Sequence, residues 1–512
     1  MVNEKRKQLA TGIIFSYALI IIKLITGLVY TPLVLQSLGQ TQYGVYSLVL
    51  SLAGYLTIFD SGTNAAYIRF YVQTKEKKAE EAYVLNTFFL IFFIILSSFA
   101  FIVGIIISNN ATSIFGSKIT ANEYLLIKDS LKLLSISLFF EVFNCLWNSI
   151  IIANEKFIYG KLVSLLTAIL MPIITVPLLL AGHDCRSIIF VRLIISLVSV
   201  LCTSIYCIFC LKTKFLLKKI EKRLVIAIFQ FIIFIVLQSI MDQFNWQIDK
   251  LILSWFQGTK EISVYSVGST FNSIYMTLSS AIASVFIAEA NRLVVSEDND
   301  KIMCLFVKIS RLCTYITLLI MIEYTLIGKH FIYCWAGEKY EKSYIIGFLL
   351  MFPLTFSLSL GMGQDITRAK NKHHRQVLMD FSVCVVNVIA SIPLAFKWGA
   401  IGSAIGTFFS ELLLCCIIQP LYYNYAVGID MKYTFGKLVP ILKGCVFPIV
   451  YGMLINYFGL IYDSYFSVLT HGFIIFIIYF LSNYLITFND YEKEKANNII
   501  NKFLGGICKS GN

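Results

Sequence analysis

The sequence predicts an all-α membrane protein of about fourteen transmembrane helices, built as two six-helix lobes plus two C-terminal helices. Three observations predict it. Of the 512 residues, 58% are hydrophobic and 14% charged, with mean hydropathy +0.78. A soluble chain of this length could not hide so much apolar surface. Next, the apolar residues fall in runs close to the ~20 residues that cross a bilayer as a helix. Finally, two separate motifs recur at nearly one offset.

The spans are expected at roughly 10–38, 43–71, 82–108, 126–152, 157–181, 187–211, 224–256, 262–291, 303–327, 343–365, 377–396, 399–423, 440–460 and 466–488. Lys5-Arg6-Lys7 before an apolar run resembles a signal-peptide start. No small-residue cleavage site follows and the run continues past Val29, so it reads as a retained first helix, bent at Gly27 and Pro32. With the N-terminus in the cytoplasm, basic clusters fall on that side: Lys75, Lys77 and Lys78; Lys212, Lys214, Lys218, Lys219, Lys222 and Arg223; Arg368, Lys370, Lys372 and Arg375. The opposite side holds scattered residues such as Lys118, Arg186, Lys260 and Lys397. This asymmetry places both termini in the cytoplasm, with the charged segment from Asn489 as a solvated end. It also accounts for the net charge of +13 without nucleic acid. No loop is long enough for a soluble catalytic domain, so no enzyme is expected.

Internal repetition sets the organisation. Gly39 precedes Tyr46-Ser47 as Gly258 precedes Tyr265-Ser266, 219 residues later. Ala153-Asn154-Glu155-Lys156 with Pro177 is echoed by Ala369-Lys370-Asn371-Lys372 with Pro393, at an offset of 216. The lobes are therefore 1–223 and 224–439, in like orientation, followed by two helices in 440–488 and the tail 489–512.

Four spans carry polar rows. In the second, Thr57, Asp60, Asn64, Tyr67 and Tyr71 recur at three, four, three and four, one helical face. The eighth repeats this with Ser266, Thr270, Ser273, Thr277, Ser280 and Ser284. The first has Ser16, Lys23, Thr26 and Tyr30, and the seventh Gln238, Asp242, Asn245 and Asp249. Polar faces in hydrocarbon turn toward protein or a wet cavity; small Ser and Thr also let helices pack closely. Lys23 lies about 20 Å from the cytoplasmic end of its span, where a charge costs roughly 2.5–3.5 kcal/mol. It contacts either an anionic ligand or Asp60 or Asp242. Asp60, Asp242 and Asp249 either take up a cation or neutralise Lys23 and Lys250. Arg69 either snorkels or meets an anionic head group. Glu141, Arg192, Glu289, Arg311, Glu323, Asp380 and Glu411 are expected in interhelical pairs.

The thirteen Cys lie mostly in apolar runs. Cys207 and Cys210 have C-x-x-C spacing but no second pair, so apolar filling is expected rather than metal binding. No Walker A motif occurs, which points to a secondary carrier without cofactor, driven by an ion gradient or substrate flux.

The runs LGQTQYGVYSLVLSLAGYLTIFDSG and, from Asp249, DKLILSWFQGTKEISVYSVGS resemble the signatures of Wzx-type polysaccharide repeat-unit (O-antigen) flippases. That family belongs to the multidrug/oligosaccharidyl-lipid/polysaccharide exporter superfamily, and the resemblance covers essentially the whole chain. It implies an extruder-like, lipid-flippase-like fold in the bacterial inner membrane. It also implies alternating-access movement of undecaprenyl-pyrophosphate-linked oligosaccharide to the outer leaflet, coupled to H⁺ or Na⁺. Membrane lipids, the polysaccharide polymerase and a chain-length regulator are the implied partners. Lys23, Arg69 and Lys250 would hold pyrophosphate, with Thr26, Tyr30, Asn64, Gln238, Asn245, Ser273 and Thr277 facing sugars. Asp60, Asp242 and Asp249 are the cation-coupling candidates, and three Asp beside one central Lys depart from a purely cationic cavity. The alternative is a cation-coupled multidrug or toxin extruder of the same superfamily, against which Lys23 and the two extra spans count.

Overall fold

The computed structural model describes residues 2–77, 79–370 and 372–498. The side chains of Lys5, Arg6, Lys7, Lys77, Ser284, His373 and His374 lie outside the described set, as do Lys78, Asn371 and 499–512. All regular structure among the described residues is helical. In lipid every backbone N–H and C=O needs a partner, and a helix supplies it within the segment.

Among the described residues, eleven segments are long and apolar enough to cross a membrane. Two of them, Ala18–Lys75 and Arg375–Val427, run to 58 and 53 residues and contain a non-helical glycine. In α1 (Val2–Leu56) this is Gly39, with φ 67°, so the helix breaks there, while Gly27 and Pro32 lie inside its first limb with helical backbone. Gly258, its counterpart in the second motif copy, has φ 89° and separates α8 (Lys222–Phe256) from α9 (Thr259–Ser284). Only glycine adopts this backbone without a Cβ penalty, which explains the residue repeated in both copies. The stretch expected as a span at 262–291 holds α9 and α10 (Ile287–Val295), neither among the eleven.

Contacts divide the chain into two compact units. The first comprises Met1–Thr270 and Asp380–Thr407, the second Phe271–Met379 and Phe408–Asn512. In the first, α2 (Ile58–Lys77), α3 (Ala79–Asn109), the short α4 (Ala111–Ile114), α5 (Ala121–Ala153), α6 (Phe157–Leu180) and α7 (Cys185–Ile205) join α1 and α8. Helix α5 packs on both α3 and α7, and α1 lies on α6. Tyr67, Phe89, Phe93, Val142, Leu146, Ile150 and Ile151 form the buried core between them. Helix α5 starts on a capping box: the Thr120 hydroxyl accepts from Glu123 N, and the Glu123 carboxylate accepts from Thr120 N.

Glycines let the backbones of this unit touch. A Cβ on Gly44 would sit 1.9 Å from the Thr259 carbonyl oxygen, so the two motif copies meet backbone to backbone. Gly44→Val is therefore expected to destabilise the fold by at least the ~1–3 kcal/mol of an overpacked core. Fluorescence-detected size-exclusion chromatography after heating would show a lower midpoint, and an unchanged midpoint would mean that the backbones part freely.

The second unit holds α11 (Asn299–Ala336), α12 (Lys342–Ser359), α13 (Met362–Ala369), α15 (Gln419–Tyr422), α16 (Met431–Leu438), α17 (Val446–Tyr457) and α18 (Tyr465–Ile486); α14 (His373–Leu413) passes from one unit to the other. Ile322, Ile327, Cys445, Ile455, Ile475 and Tyr479 bury α17 and α18 against α11. The solvated end expected from Asn489 is corrected here. Glu492 is only 7% exposed, and Arg311 donates to its Oε1 at 2.7 Å and Oε2 at 2.8 Å. The ion pair draws the start of the tail into the fold, although Asp490, Glu494 and Lys495 remain exposed.

Candidate functional site

Helix α14 turns at Gly399 (φ 60°), and its two limbs lie close because Gly402 and Gly406 face Leu394 and Ser391. The second motif copy holds this turn. Gln257 Nε2 donates to the Ala395 and Phe396 carbonyls, and Ala400 N donates to the Glu261 carboxylate at 2.8 Å. An acid at the start of the second limb complements its dipole.

The turn brings both limbs to Asp249, one of the expected cation-coupling residues. Asp249 is fully buried on α8. Ser403 Oγ donates to its Oδ1 at 2.5 Å; Tyr265 OH and Thr407 Oγ1 reach Oδ2 at 2.5 and 3.0 Å. Behind them Asn387 Oδ1 accepts from Ser391 Oγ at 2.9 Å, and Thr407 Oγ1 lies 3.2 Å from the same oxygen. Thr407 has one proton for three acceptors: the Asp249 carboxylate, the Asn387 amide and the Ser403 carbonyl. Three hydroxyls thus donate to the carboxylate, and no ion pair to Asp249 occurs among the described residues. Such a cage suits a hard cation or a proton. Periodicity could find Asp249 but not Asn387, Ser403 and Thr407 far along the chain; of the cage residues only Tyr265, 16 residues on, carried a sequence signal, the Tyr265-Ser266 repeat.

The other expected residues are distributed as follows. Lys23, Thr26, Tyr30, Asp60, Asn64, Arg69, Gln238, Asp242, Asn245 and Lys250 belong to the first unit, Ser273 and Thr277 to the second. Lys23 and Asp242 are exposed, and Thr26 and Lys250 half-buried. Gln238 Nε2 reaches Asp242 Oδ1 at 3.4 Å, and Asn387 Nδ2 donates to Asn245 Oδ1 at 3.2 Å, tying Asn245 to the Asp249 cluster. The Tyr30 hydroxyl is buried beside Thr175. Arg69 is exposed, with its guanidinium 4.8 Å from the Phe231 ring centre. Ser273, Thr277 and Ser280 form an exposed row on α9, with Thr277 and Ser280 hydrogen-bonded back to their own helix.

The face of the second span meets protein. Ser149 Oγ donates to Asn64 Oδ1 at 2.7 Å, Tyr67 OH donates to Asn86 Oδ1 at 2.7 Å, and Tyr71 stacks on Tyr67. Asp60 lies by Cys145, with its Oδ1 buried and lacking a hydrogen-bond partner among the described residues. Nearby, Arg192 and Glu141 form the expected interhelical pair, bidentate at 2.7 and 2.8 Å. Cys207 is a free, buried thiol directed at the Trp147 carbonyl.

The helices define a multi-pass membrane protein with an oxygen-lined carboxylate buried among its spans. Solved structures share its fold. A lipid II flippase, MurJ, in an inward closed conformation superposes with a TM-score of 0.72 at 18% identity, over 92% of this chain and 98% of that one. A multidrug resistance MATE family transporter of the MOP superfamily, inward-facing, gives 0.59 at 15% identity over 80% and 94%. The "Putative O-antigen transporter" of Shigella flexneri is 30% identical over 122 residues, 24% of this chain. That match spans 28% of the relative's own length. The family model described as "Polysaccharide biosynthesis protein" matches residues 37–345, and the chain belongs to that family. Both motif copies lie inside the match, which bears out the resemblance drawn from them.

Proposed function

We propose that the protein is a flippase of the bacterial inner membrane. It carries undecaprenyl-pyrophosphate-linked oligosaccharide repeat units, of O antigen or a similar surface polysaccharide, from the cytoplasmic to the outer leaflet. The observation that carries this is membership of a polysaccharide biosynthesis family on a fold shared almost end to end with a lipid flippase. Transport alternates between inward- and outward-facing forms and is coupled to H⁺ or Na⁺ at Asp249. The cage of Tyr265, Ser403, Thr407 and Asn387 changes its hydrogen bonding as the cation arrives or leaves. Helix α8 links that event to the substrate, because it carries Asp249 and also the Gln238–Asp242 pair. Lys23 meets the pyrophosphate. The polymerase and chain-length regulator receive the product on the outer side.

Lys23→Ala tests the substrate side. Surface polysaccharide is expected to fall by about tenfold or more, the equivalent of one lost charge-assisted contact, with the protein still in the membrane. Surface polysaccharide at the wild-type level would remove Lys23 from transport. Efflux of cationic dyes from a sensitive host, without polysaccharide export, would instead make the protein an extruder.

A further inference from the structure

On α8, Ile232, Val236, Ser239, Gln243 and Gln247 recur at four, three, four and four and so share one face. That face lies along α1 and α2. Gly62 fits between Ile232 and Val236, and the Ser61 and Ser239 hydroxyls meet at 2.7 Å. The Gln243 amide covers Gly54, where a Cβ would lie 2.3 Å from Oε1, and the Phe244 ring meets the Tyr55 ring edge to face. The seam is apolar at one end and polar in the middle.

In that middle section three polar atoms are buried without a hydrogen-bond partner among the described residues: Gln243 Oε1, Gln247 Oε1 and Tyr55 OH. In hydrocarbon no bulk water compensates them, and each costs about 1–3 kcal/mol. Leucine in place of either glutamine would avoid the cost at nearly the same volume. Three such atoms on one seam are what a site for a polar ligand looks like when the ligand is absent.

We propose that this seam is a glycan-contacting site, and that Gln243, Gln247 and Tyr55 select the sugar portion of the substrate. This rests on the flippase assignment. The chemistry favours sugar over pyrophosphate, since all five polar groups here (Tyr55, Ser61, Ser239, Gln243, Gln247) are uncharged. Two carbonyl oxygens and a phenol match hydroxyls, each both donor and acceptor. The Tyr55 and Phe244 rings add apolar faces for the C–H side of a pyranose. The site becomes accessible as α8 parts from α1 and α2.

The test uses the full chain in nanodiscs, with Gln243→Leu and Gln247→Leu singly and together. Tyr55→Phe serves as a second variant that deletes one hydroxyl and keeps the ring. Two probes are titrated: a polyprenyl-pyrophosphate-linked oligosaccharide and the same polyprenyl pyrophosphate without sugar. The double variant should weaken binding of the glycan-bearing probe by about tenfold or more and of the bare one by under about twofold. Its thermal midpoint should equal or exceed the wild type, because unpaired buried oxygens have gone. Equal losses for both probes, or none for either, would overturn the site and leave the oxygens to buried water or packing. Wild type that binds neither probe would instead overturn the flippase assignment, and this site with it.

Discussion

Asp249→Asn is expected to abolish surface polysaccharide while leaving the chain in the membrane at near wild-type abundance. Asparagine keeps the shape of the side chain and can accept one hydroxyl, so the cage of Tyr265, Ser403 and Thr407 persists. It carries no charge, and its amide N–H₂ points donors into a cluster that needs acceptors. Loss of a charged hydrogen-bonding partner costs about 1.5–3 kcal/mol, so cation affinity should drop by about tenfold to a hundredfold. Asp249→Ala should differ in kind, since it strands three hydroxyls and lowers abundance as well as export. Immunoblots of membranes beside lectin labelling of whole cells separate the two. Wild-type labelling with the Asn variant would remove Asp249 from the coupling mechanism.

Arg311→Ala should produce the largest loss of stability. Arg311 donates to both Glu492 oxygens, to the Lys437 and Thr487 carbonyls at 2.7 and 2.9 Å, and to Tyr315 OH at 2.7 Å. Its removal leaves Glu492 charged and unpaired at 7% exposure, and breaking a buried pair in this way costs about 3–5 kcal/mol. The double variant with Glu492→Ala should lose less than the two single variants added together, because no charge is then stranded. A double-mutant cycle on thermal midpoints in detergent checks this. Strict additivity would mean that the two side chains stabilise the protein separately.

The sequence made the helices legible because a membrane span needs length and apolarity, both local properties. Two of the positive-φ glycines, Gly39 and Gly258, stand at corresponding places in two copies of one motif, yet the repeat alone did not mark them as breaks, and the first span was expected to bend at Gly27 and Pro32. What a polar face touches was not legible. Spacing put Asn64, Tyr67 and Tyr71 on one side of a helix, but Ser149 and Asn86 meet them from α5 and α3. Periodicity has no access to such neighbours. The same limit hid Ser403 and Thr407, which look like ordinary small residues until the Gly399 turn carries them to Asp249. Gln243 and Gln247 went unnoticed because the polar row traced on that span, Gln238, Asp242, Asn245 and Asp249, runs along another face of the helix. Glu492 was misplaced because tail composition says nothing about Arg311, 181 residues earlier.

The most direct measurement is translocation in proteoliposomes containing the purified chain and a fluorescent polyprenyl-pyrophosphate-linked oligosaccharide. A membrane-impermeant enzyme or lectin reads how much glycan crosses the bilayer with and without an imposed Na⁺ or proton gradient. Crossing that rises with one of these gradients, and falls to the level of empty liposomes with Asp249→Asn, is the predicted result. Crossing no faster with wild-type protein than in empty liposomes, under either gradient, would contradict it.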